Sequence, residues 1–194
     1  MTDEWKAAWQ PLVDRVGDSL RTKDVQWAPD LVEAGAIRRW LEPLEFDCAL
    51  HVDCQVAKAQ GYFDIVAPMT SLGTLMAAPL RSPGSCLFTE ADRNAQPNVR
   101  SLRPPLPVEA PPVSGYFATD MEYEYLRAVM VGERLGRRGL RLVACVPKET
   151  KVGRGAFVTF EVEVVSSRGD VVSRMRYGLF CYNPHPQPSV GSVS

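Results

Sequence analysis

Residues 37–70, IRRWLEPLEFDCALHVDCQVAKAQGYFDIVAPMT, form the stretch that decides the fold, because they join a helical pattern to an acidic turn and then to a glycine-led apolar segment. His51 lies in the turn, and the other histidine of the chain, His185, lies in a proline-containing tail. A histidine a few residues from an aspartate, here Asp47, is one economical arrangement for moving a proton near neutral pH. The stretch therefore predicts a candidate acid–base site at Asp47 and His51.

Composition limits the classes of function that are open to the chain. Its 194 residues suit one domain with an elaboration, and an apolar content of 45% is ample for a single core. With 22 basic and 23 acidic residues the net charge is close to zero, so no overall electrostatic field attracts nucleic acid or an anionic membrane. No segment approaches the roughly 20 apolar residues of a membrane span, and the N-terminus MTDEWKAAWQ lacks the features of a signal peptide.

The five cysteines are odd in number and include no CxxC pair, which predicts a reduced, cytoplasmic protein. Cys48 and Cys54 flank His51, but this spacing departs from common zinc patterns and no second cluster supplies further ligands. We therefore expect small buried thiols, no metal and no cofactor.

Helical and strand patterns alternate in the first eighty residues. Residues 4–17 predict a short helix, and residues 20–27 predict a strand. Asp30 has the capping spacing for a second helix, which Pro43 should end. From Asp64 to Met76 the apolar pattern is that of a third helix, buried on most sides.

The last third of the chain predicts four antiparallel strands, because apolar residues alternate over 117–125, 140–146, 156–164 and 171–181. A turn at residues 167–170 should join the last two. Periodicity alone supports an α+β class.

Domain organisation follows from two segments without a sustained period. The proline-rich residues 79–114 either cover a site or form a passive insertion. The polar residues 184–194 read as a flexible tail. We therefore predict a single domain over residues 1–183, interrupted by the insertion at 79–114.

Three motifs resemble those of the MaoC-like hydratase/dehydratase family. Residues 49–53, ALHVD, match the latter half of its hydratase motif, and residues 61–68, GYFDIVAP, are similar to a segment of its N-terminal-type dehydratase halves. Residues 122–129 together with 132–135 resemble a third signature, (F/Y)-x-RPV-x-x-GD-x-L. The resemblance implies a hotdog fold, in which a curled antiparallel sheet wraps around a central helix.

The resemblance also implies an (R)-specific enoyl-thioester hydratase, or 3-hydroxyacyl-thioester dehydratase, acting on acyl-CoA. In such enzymes an aspartate and a histidine share one water. One group takes its proton as the oxygen attacks the β-carbon, and the other delivers a proton to the α-carbon. Here His51 matches the family histidine, Phe46 stands at the family aspartate position, and Asp47 is one residue closer.

The start of the central helix is the expected thioester site, since an N–H there stabilises the enolate in the family. The substrate-binding residues that this implies are Pro68, Met69 and Thr70. The anionic ends of coenzyme A need cations. Lys148, Lys151 and Arg154 lie near the turn between two predicted strands, and they either bind these phosphates or form a charged hairpin tip. The residues do not distinguish coenzyme A from an acyl carrier protein.

Two classes of function stay open. The chain is either a hydratase with its own Asp47–His51 dyad, or a non-catalytic acyl-binding subunit that pairs with a dyad-bearing MaoC-type partner. In the second case His51 is a turn histidine bonded to a carboxylate or carbonyl, or a residue that positions the thioester. A thioesterase is disfavoured because residues 68–76 contain no Asp or Glu. A homodimer or such a heterodimer is expected, because a hotdog sheet leaves a strand edge exposed.

Overall fold

A computed structural model describes residues 4–21, 24–79, 81, 83–88 and 105–185. Five strands form one antiparallel sheet with the order β1-β3-β4-β5-β2. The strands are β1 (Val25–Leu31), β2 (Gly115–Tyr125), β3 (Arg134–Thr150), β4 (Gly153–Ser166) and β5 (Val171–Pro184). The four strands predicted from alternation correspond to β2 through β5 and are confirmed.

The helices of the described residues are short. The α-helices are α1 (Glu4–Ala7), α2 (Gln10–Val13), α3 (Ala34–Leu41), α4 (Cys54–Ala59) and α5 (Leu72–Leu75). Single 3₁₀ turns lie at Glu42–Leu44, Ala49–His51 and Met69–Ser71.

One face of the sheet, the inner face, packs against the helices. Along β4, the buried residues Val158, Phe160 and Val162 alternate with the partly exposed Thr159 and Glu161. This period of two is what a half-buried strand requires. The inner-face residues share one apolar cluster with residues of the helices and the N-terminal segment: Trp9, Leu12, Ile37, Leu41 and Leu72.

The opposite face, the outer face, carries a ladder of arginine–glutamate pairs between neighbouring strands. The pairs are Arg138–Glu163, Arg141–Glu161, Arg176–Glu161 and Arg174–Glu124, with N–O distances of 2.7 to 2.9 Å. Exposed ion pairs contribute little to stability individually, so the main effect of this ladder is a polar outer surface.

β1 extends further along the chain than its sequence pattern predicts. The strand expected over residues 20–27 instead runs through Pro29 and Asp30 to Leu31. A proline fits there because β1 lies at the edge of the sheet and its pairing with β3 is irregular at this point. The predicted helix cap at Asp30 is therefore wrong, and Glu33 stands at the N-cap of α3.

The helix predicted over residues 64–76 is also shorter than expected. Its first residues are extended, because Ala67 N–H donates to the carbonyl of Val129 at 2.8 Å and Val131 N–H donates to the carbonyl of Ile65 at 3.0 Å. Their backbone bonds thus go to a distant segment and not to a helical turn. The central helix is reduced to one 3₁₀ turn followed by α5.

β2 is the last strand on its side of the sheet, and no described segment pairs with its free edge. A bulge between Ala118 and Asp120 interrupts its ladder with β5. Tyr116, Phe117 and Met121 on this strand are exposed, Met121 by 59%. The sheet therefore ends in an unpaired edge beside exposed aromatic and apolar side chains.

Parts of two predicted segments lie outside the described residues. Of the insertion at 79–114, residues 80, 82 and 89–104 are not described, and its covering role stays a prediction. The domain end predicted at residue 183 lies within β5, which continues through Pro184. Residues 186–194 of the predicted tail lie outside the description.

Candidate functional site

His51 closes the 3₁₀ turn that precedes α4. The turn is followed by Asp53, whose side-chain oxygen Oδ1 accepts hydrogen bonds from the backbone N–H groups of Gln55 at 2.7 Å and Val56 at 3.2 Å. Asp53 is therefore the N-cap of α4, a role that aspartate fills well. The aspartate two residues after His51 thus serves the local fold.

The imidazole of His51 is oriented by a backbone carbonyl. Its Nδ1 lies 2.7 Å from the carbonyl oxygen of Val66, and the Val66 N–H donates to the carbonyl of Leu50 at 3.0 Å. A carbonyl oxygen can only accept, so Nδ1 carries the proton in the neutral ring and Nε2 presents a lone pair. The Phe46 ring lies 5.9 Å from the imidazole, centroid to centroid. This geometry fixes a tautomer of His51 whose Nε2 can accept a proton.

Asp47 is exposed, and neither a hydrogen bond nor an ion pair within 4.0 Å joins it to His51. A general acid or base can act through one intervening water. Any cooperation between Asp47 and His51 in this conformation therefore requires a bridging water.

The segment that orients His51 is itself held by the strip of residues 129–131. Val66 forms an isolated antiparallel bridge with Met130, flanked by the hydrogen bonds of Ala67 and Ile65 with that strip. Met130 N–H in turn donates to Oε1 of Glu133 at 2.9 Å. The segment that orients His51 is thus bonded to a strip that is itself held by a buried carboxylate.

Glu133 is only 2% exposed and is satisfied on both oxygens. Arg127 donates to Oε1 at 3.1 Å and to Oε2 at 2.7 Å, and the Ser166 hydroxyl donates to Oε2 at 2.5 Å. Burial alone would raise the pKa of Glu133, but the bonds from Arg127, Ser166 and the backbone outweigh it and hold the pKa below its usual value. The carboxylate is therefore charged at neutral pH.

Arg127 also ties the β4–β5 turn to this network. It donates to Oδ1 of Asp170 at 2.9 Å and pairs with Oδ2 of the same residue. The guanidinium of Arg168 in that turn lies 3.8 Å from the ring centroid of Phe63. The turn predicted at residues 167–170 is confirmed, with Gly169 at φ 95°, a value that glycine adopts readily. The network therefore connects the two ends of the motif that resembles the third MaoC signature.

The three expected thioester-binding residues lie at the start of the reduced central helix. Pro68 is buried, whereas Met69 and Thr70 are exposed, Met69 by 44%. Pro68 caps the 3₁₀ turn, and its carbonyl accepts from Ser71 N–H at 2.9 Å and from the Ser71 hydroxyl at 2.6 Å. The N–H groups of Met69 and Thr70 begin the helical segment, where no preceding turn offers a carbonyl to accept from them. Their binding role stays a prediction.

The three expected phosphate-binding cations do not share one face of the β3–β4 hairpin. Lys148 pairs in register with Gly155, and Arg154 pairs with Glu149, so Lys148 and Arg154 point to opposite faces. Arg154 Nε lies 3.0 Å from Oε1 of Glu149. Lys151 lies between the two strands at the exposed tip. At most two of the three cations can therefore face one phosphate group.

A sequence model of the FAS1-like dehydratase domain region matches residues 19–175. The chain belongs to this family. The chain is 24% identical over 155 residues to a probable enoyl-CoA hydratase alpha subunit of Thermomonospora curvata, and the match covers 80% of the chain. It covers 46% of that relative, so the chain spans about half the length of the curated protein that it matches.

Solved structures establish the fold of the chain. A chain of the ChsH1-ChsH2 complex from Mycobacterium tuberculosis is similar with a TM-score of 0.63 and 20% identity, over 97% of this chain and 96% of that one. The MaoC-like dehydratase from Rhodospirillum rubrum is similar with a TM-score of 0.53 and 19% identity, over 86% of this chain and 95% of that one. The predicted α+β hotdog fold and the MaoC-like resemblance are confirmed.

Two further properties of the described residues concern metals and membranes. The described residues contain no group of three or more His, Cys, Asp or Glu side chains that could hold a metal ion. All five cysteines are described and are free thiols. Within the same residues, no helix has the length and apolar character needed to span a bilayer.

Sequence reasoning missed two elements of the site. One is the Val66 carbonyl, because backbone groups leave no trace in a residue pattern. The other is the Arg127–Glu133 pair, although both residues stand in the motif that carries the resemblance. A charged pair six residues apart, flanking the apolar residues 128–131, was the available signal.

Proposed function

We propose that this chain is a subunit or half of an (R)-specific enoyl-thioester hydratase, or 3-hydroxyacyl-thioester dehydratase, with His51 as its acid–base residue. The observation that supports this most directly is the 2.7 Å bond from His51 Nδ1 to the Val66 carbonyl, which leaves Nε2 as a proton acceptor. Membership of a dehydratase family narrows the reaction to the addition or removal of water.

In the direction of hydration, the water oxygen forms a bond to the β-carbon while Nε2 of His51 takes one of its protons. The electrons of the double bond pass to the thioester as an enolate, and the α-carbon then receives a proton. A water held by Asp47 is the proposed proton donor, and the proton taken by His51 restores this water after turnover. The N–H groups of Met69 and Thr70 are the proposed donors to the enolate oxygen.

The proposed substrate is an acyl-CoA or acyl carrier thioester. Lys151 at the exposed hairpin tip, with Lys148 on one face or Arg154 on the other, supplies the cations for its phosphates. The proposed assembly is a homodimer, or a heterodimer with a MaoC-type subunit, and a cytoplasmic location belongs to the same proposal. Similarity to a probable enoyl-CoA hydratase alpha subunit supports the heteromeric form.

A second candidate function is a non-catalytic acyl-binding subunit that works with a dyad-bearing partner. The observation that favours it is that neither a hydrogen bond nor an ion pair joins Asp47 to His51, both of which are described. In this case the carbonyl-bonded imidazole is part of the wall of the site.

The two candidates are separated by the hydration of a trans-2-enoyl-CoA, followed through the loss of its conjugated absorbance, with and without a MaoC-type partner. His51→Gln should reduce the rate at least about a hundredfold while thioester affinity stays nearly unchanged. Asp47→Asn should behave similarly. His185→Gln, at the other histidine of the chain, is the matched control and should retain full activity. If His51→Gln keeps full activity beside a partner, the catalytic assignment is wrong and the binding function is favoured.

A further inference from the structure

Arg137 differs from the other arginines of β3 because it points to the inner face of the sheet. It pairs in register with Gln26 of β1 and with the buried Val164 of β4. A bulge at Gly139, where φ is +69°, resets the alternation of the strand. Arg138 and Arg141 consequently point to the outer face, where each has a glutamate partner.

The guanidinium of Arg137 has no such partner. Its Nε is buried without a hydrogen bond, and no ion pair with a described residue is present. Burying an unpaired charged donor costs free energy, and an arginine side chain cannot avoid that cost by losing its proton. A buried donor on a permanent cation needs an acceptor. The donor, Arg137 Nε–H, is therefore present, and no described residue supplies its acceptor.

A cavity of about 190 Å³ lies beside Arg137. Its polar lining includes Arg21, Asp24 and Tyr177, and its apolar lining includes the buried inner-face residue Val162. Two arginines against one aspartate leave these side chains with a formal charge of +1. An engineered protein cavity of about 150 Å³ holds benzene, so the space suits a short aliphatic group.

The wall of the cavity is connected to α5 through two side chains. Met175 lines the cavity and is the cross-strand partner of Tyr123. The hydroxyl of Tyr123 lies against α5, since a Cβ built on Gly73 would be 3.1 Å from it. α5 follows directly after Met69–Ser71, where the thioester is proposed to bind.

We propose that this cavity binds a carboxylate at the far end of the acyl chain, with Arg137 as its charged donor. The substrate class is then an ω-carboxyacyl thioester, an inference that rests on the proposed function for its thioester half. The apolar wall accepts the methylene groups, and the net charge of +1 matches a monoanion. A phosphate dianion fits this lining less well, because Asp24 lies in it.

The first experiment uses the wild-type chain and observes the Arg137 Nε–Hε signal by ¹⁵N NMR. Adipate, one of whose two carboxylates then lies where the thioester would be, should shift this signal saturably, and hexanamide, which has no carboxylate, should not. Loss of the signal in Arg137→Gln assigns it. No response to adipate overturns the proposal, and an equal response to inorganic phosphate overturns the assignment to a carboxylate tail.

The second experiment measures the affinity of adipoyl-CoA and hexanoyl-CoA by calorimetry. Arg137→Gln should weaken adipoyl-CoA binding by roughly tenfold or more, the scale of a lost hydrogen bond to a charged group, and leave hexanoyl-CoA binding unchanged. Arg138→Gln, one residue along the same strand on the outer face, is the matched control and should change neither. Equal affinities of both thioesters for all three proteins would refute the proposal.

These results are independent of catalysis. If no enoyl-CoA is hydrated with any partner while adipate still shifts the Arg137 signal, the proposed reaction fails and the carboxylate site stands. If hydration proceeds but Arg137 responds to no carboxylate, the reaction stands and the carboxylate site fails.

Discussion

Arg127 and Glu133 form a two-pronged ion pair, in which Nη1 and Nη2 of the arginine each bind a different oxygen of a carboxylate that is 2% exposed. The same carboxylate accepts the backbone N–H of Met130, the bridge partner of Val66. The pair therefore stabilises the fold and also places the carbonyl that orients His51.

Replacing Glu133 by Gln should destabilise the protein by about 3 kcal/mol, because it removes the buried one of the two carboxylates that pair with Arg127. Urea unfolding at pH 7 measures the change. Glu124→Gln is the control, since its exposed pair with Arg174 should be worth less than about 1 kcal/mol. Equal small losses for both variants would show that the buried pair contributes no special stability.

Acid should weaken the wild-type protein through this network. Hydrogen bonds from Arg127 and Ser166, against the opposing effect of burial, hold the pKa of Glu133 below its usual value, and the bond from Arg127 lowers the pKa of Asp170. A carboxyl whose pKa is lower in the folded state stabilises the fold above its unfolded pKa, and this stability is lost as pH falls through the folded value. Unfolding free energies between pH 7 and pH 3 should therefore fall more steeply for the wild type than for Glu133→Gln. Parallel curves for the two proteins contradict the prediction.

The two histidines of the chain should show opposite tautomers. His51 bonds a carbonyl through Nδ1, whereas His185 Nε2 lies 2.9 Å from the carbonyl of Thr150. In the neutral rings the proton should therefore sit on Nδ1 of His51 and on Nε2 of His185. Long-range ¹H–¹⁵N correlation spectra above pH 8 distinguish the two forms. A protonated Nε2 in neutral His51 would remove it as the proposed base.

Association should accompany function, because β2 presents an unpaired edge. Sedimentation at micromolar concentration should show a dimer, or a monomer that forms a heterodimer when a MaoC-type partner is added. A monomer that stays unchanged beside such a partner would contradict this expectation.

Much of the sheet could be predicted from the sequence, and much of the helical layer could not. Alternation identifies β2 through β5 because each strand buries one face, and the resulting two-residue period is visible within the sequence of each strand. The apolar run from Ile65 to Ala67 is compatible with a helix as well as with an extended segment. Its strand-like pairing depends on residues 129–131, more than sixty positions away, which no local window contains.

The candidate site divides in the same way. The resemblance places His51 in the motif, and its role as a base remains a prediction. Its orienting carbonyl and the inward direction of Arg137 depend on strand pairing and on a bulge at Gly139. Arg137 and Arg138 look alike in the sequence, and only the alternation of the folded strand gives one of them a glutamate and the other none.

The bulge in β2 has a consequence for any strand that docks there. It divides the free edge into a segment from Gly115 to Ala118 and another from Asp120 to Tyr125, and the two do not share one hydrogen-bonding phase. A straight incoming strand can stay in phase with only one segment at a time. The second segment carries Asp120, Glu122 and Glu124, of which Glu122 and Glu124 already pair with Arg176 and Arg174 of β5. The bulge therefore limits which part of this edge a partner strand can extend, and in which register.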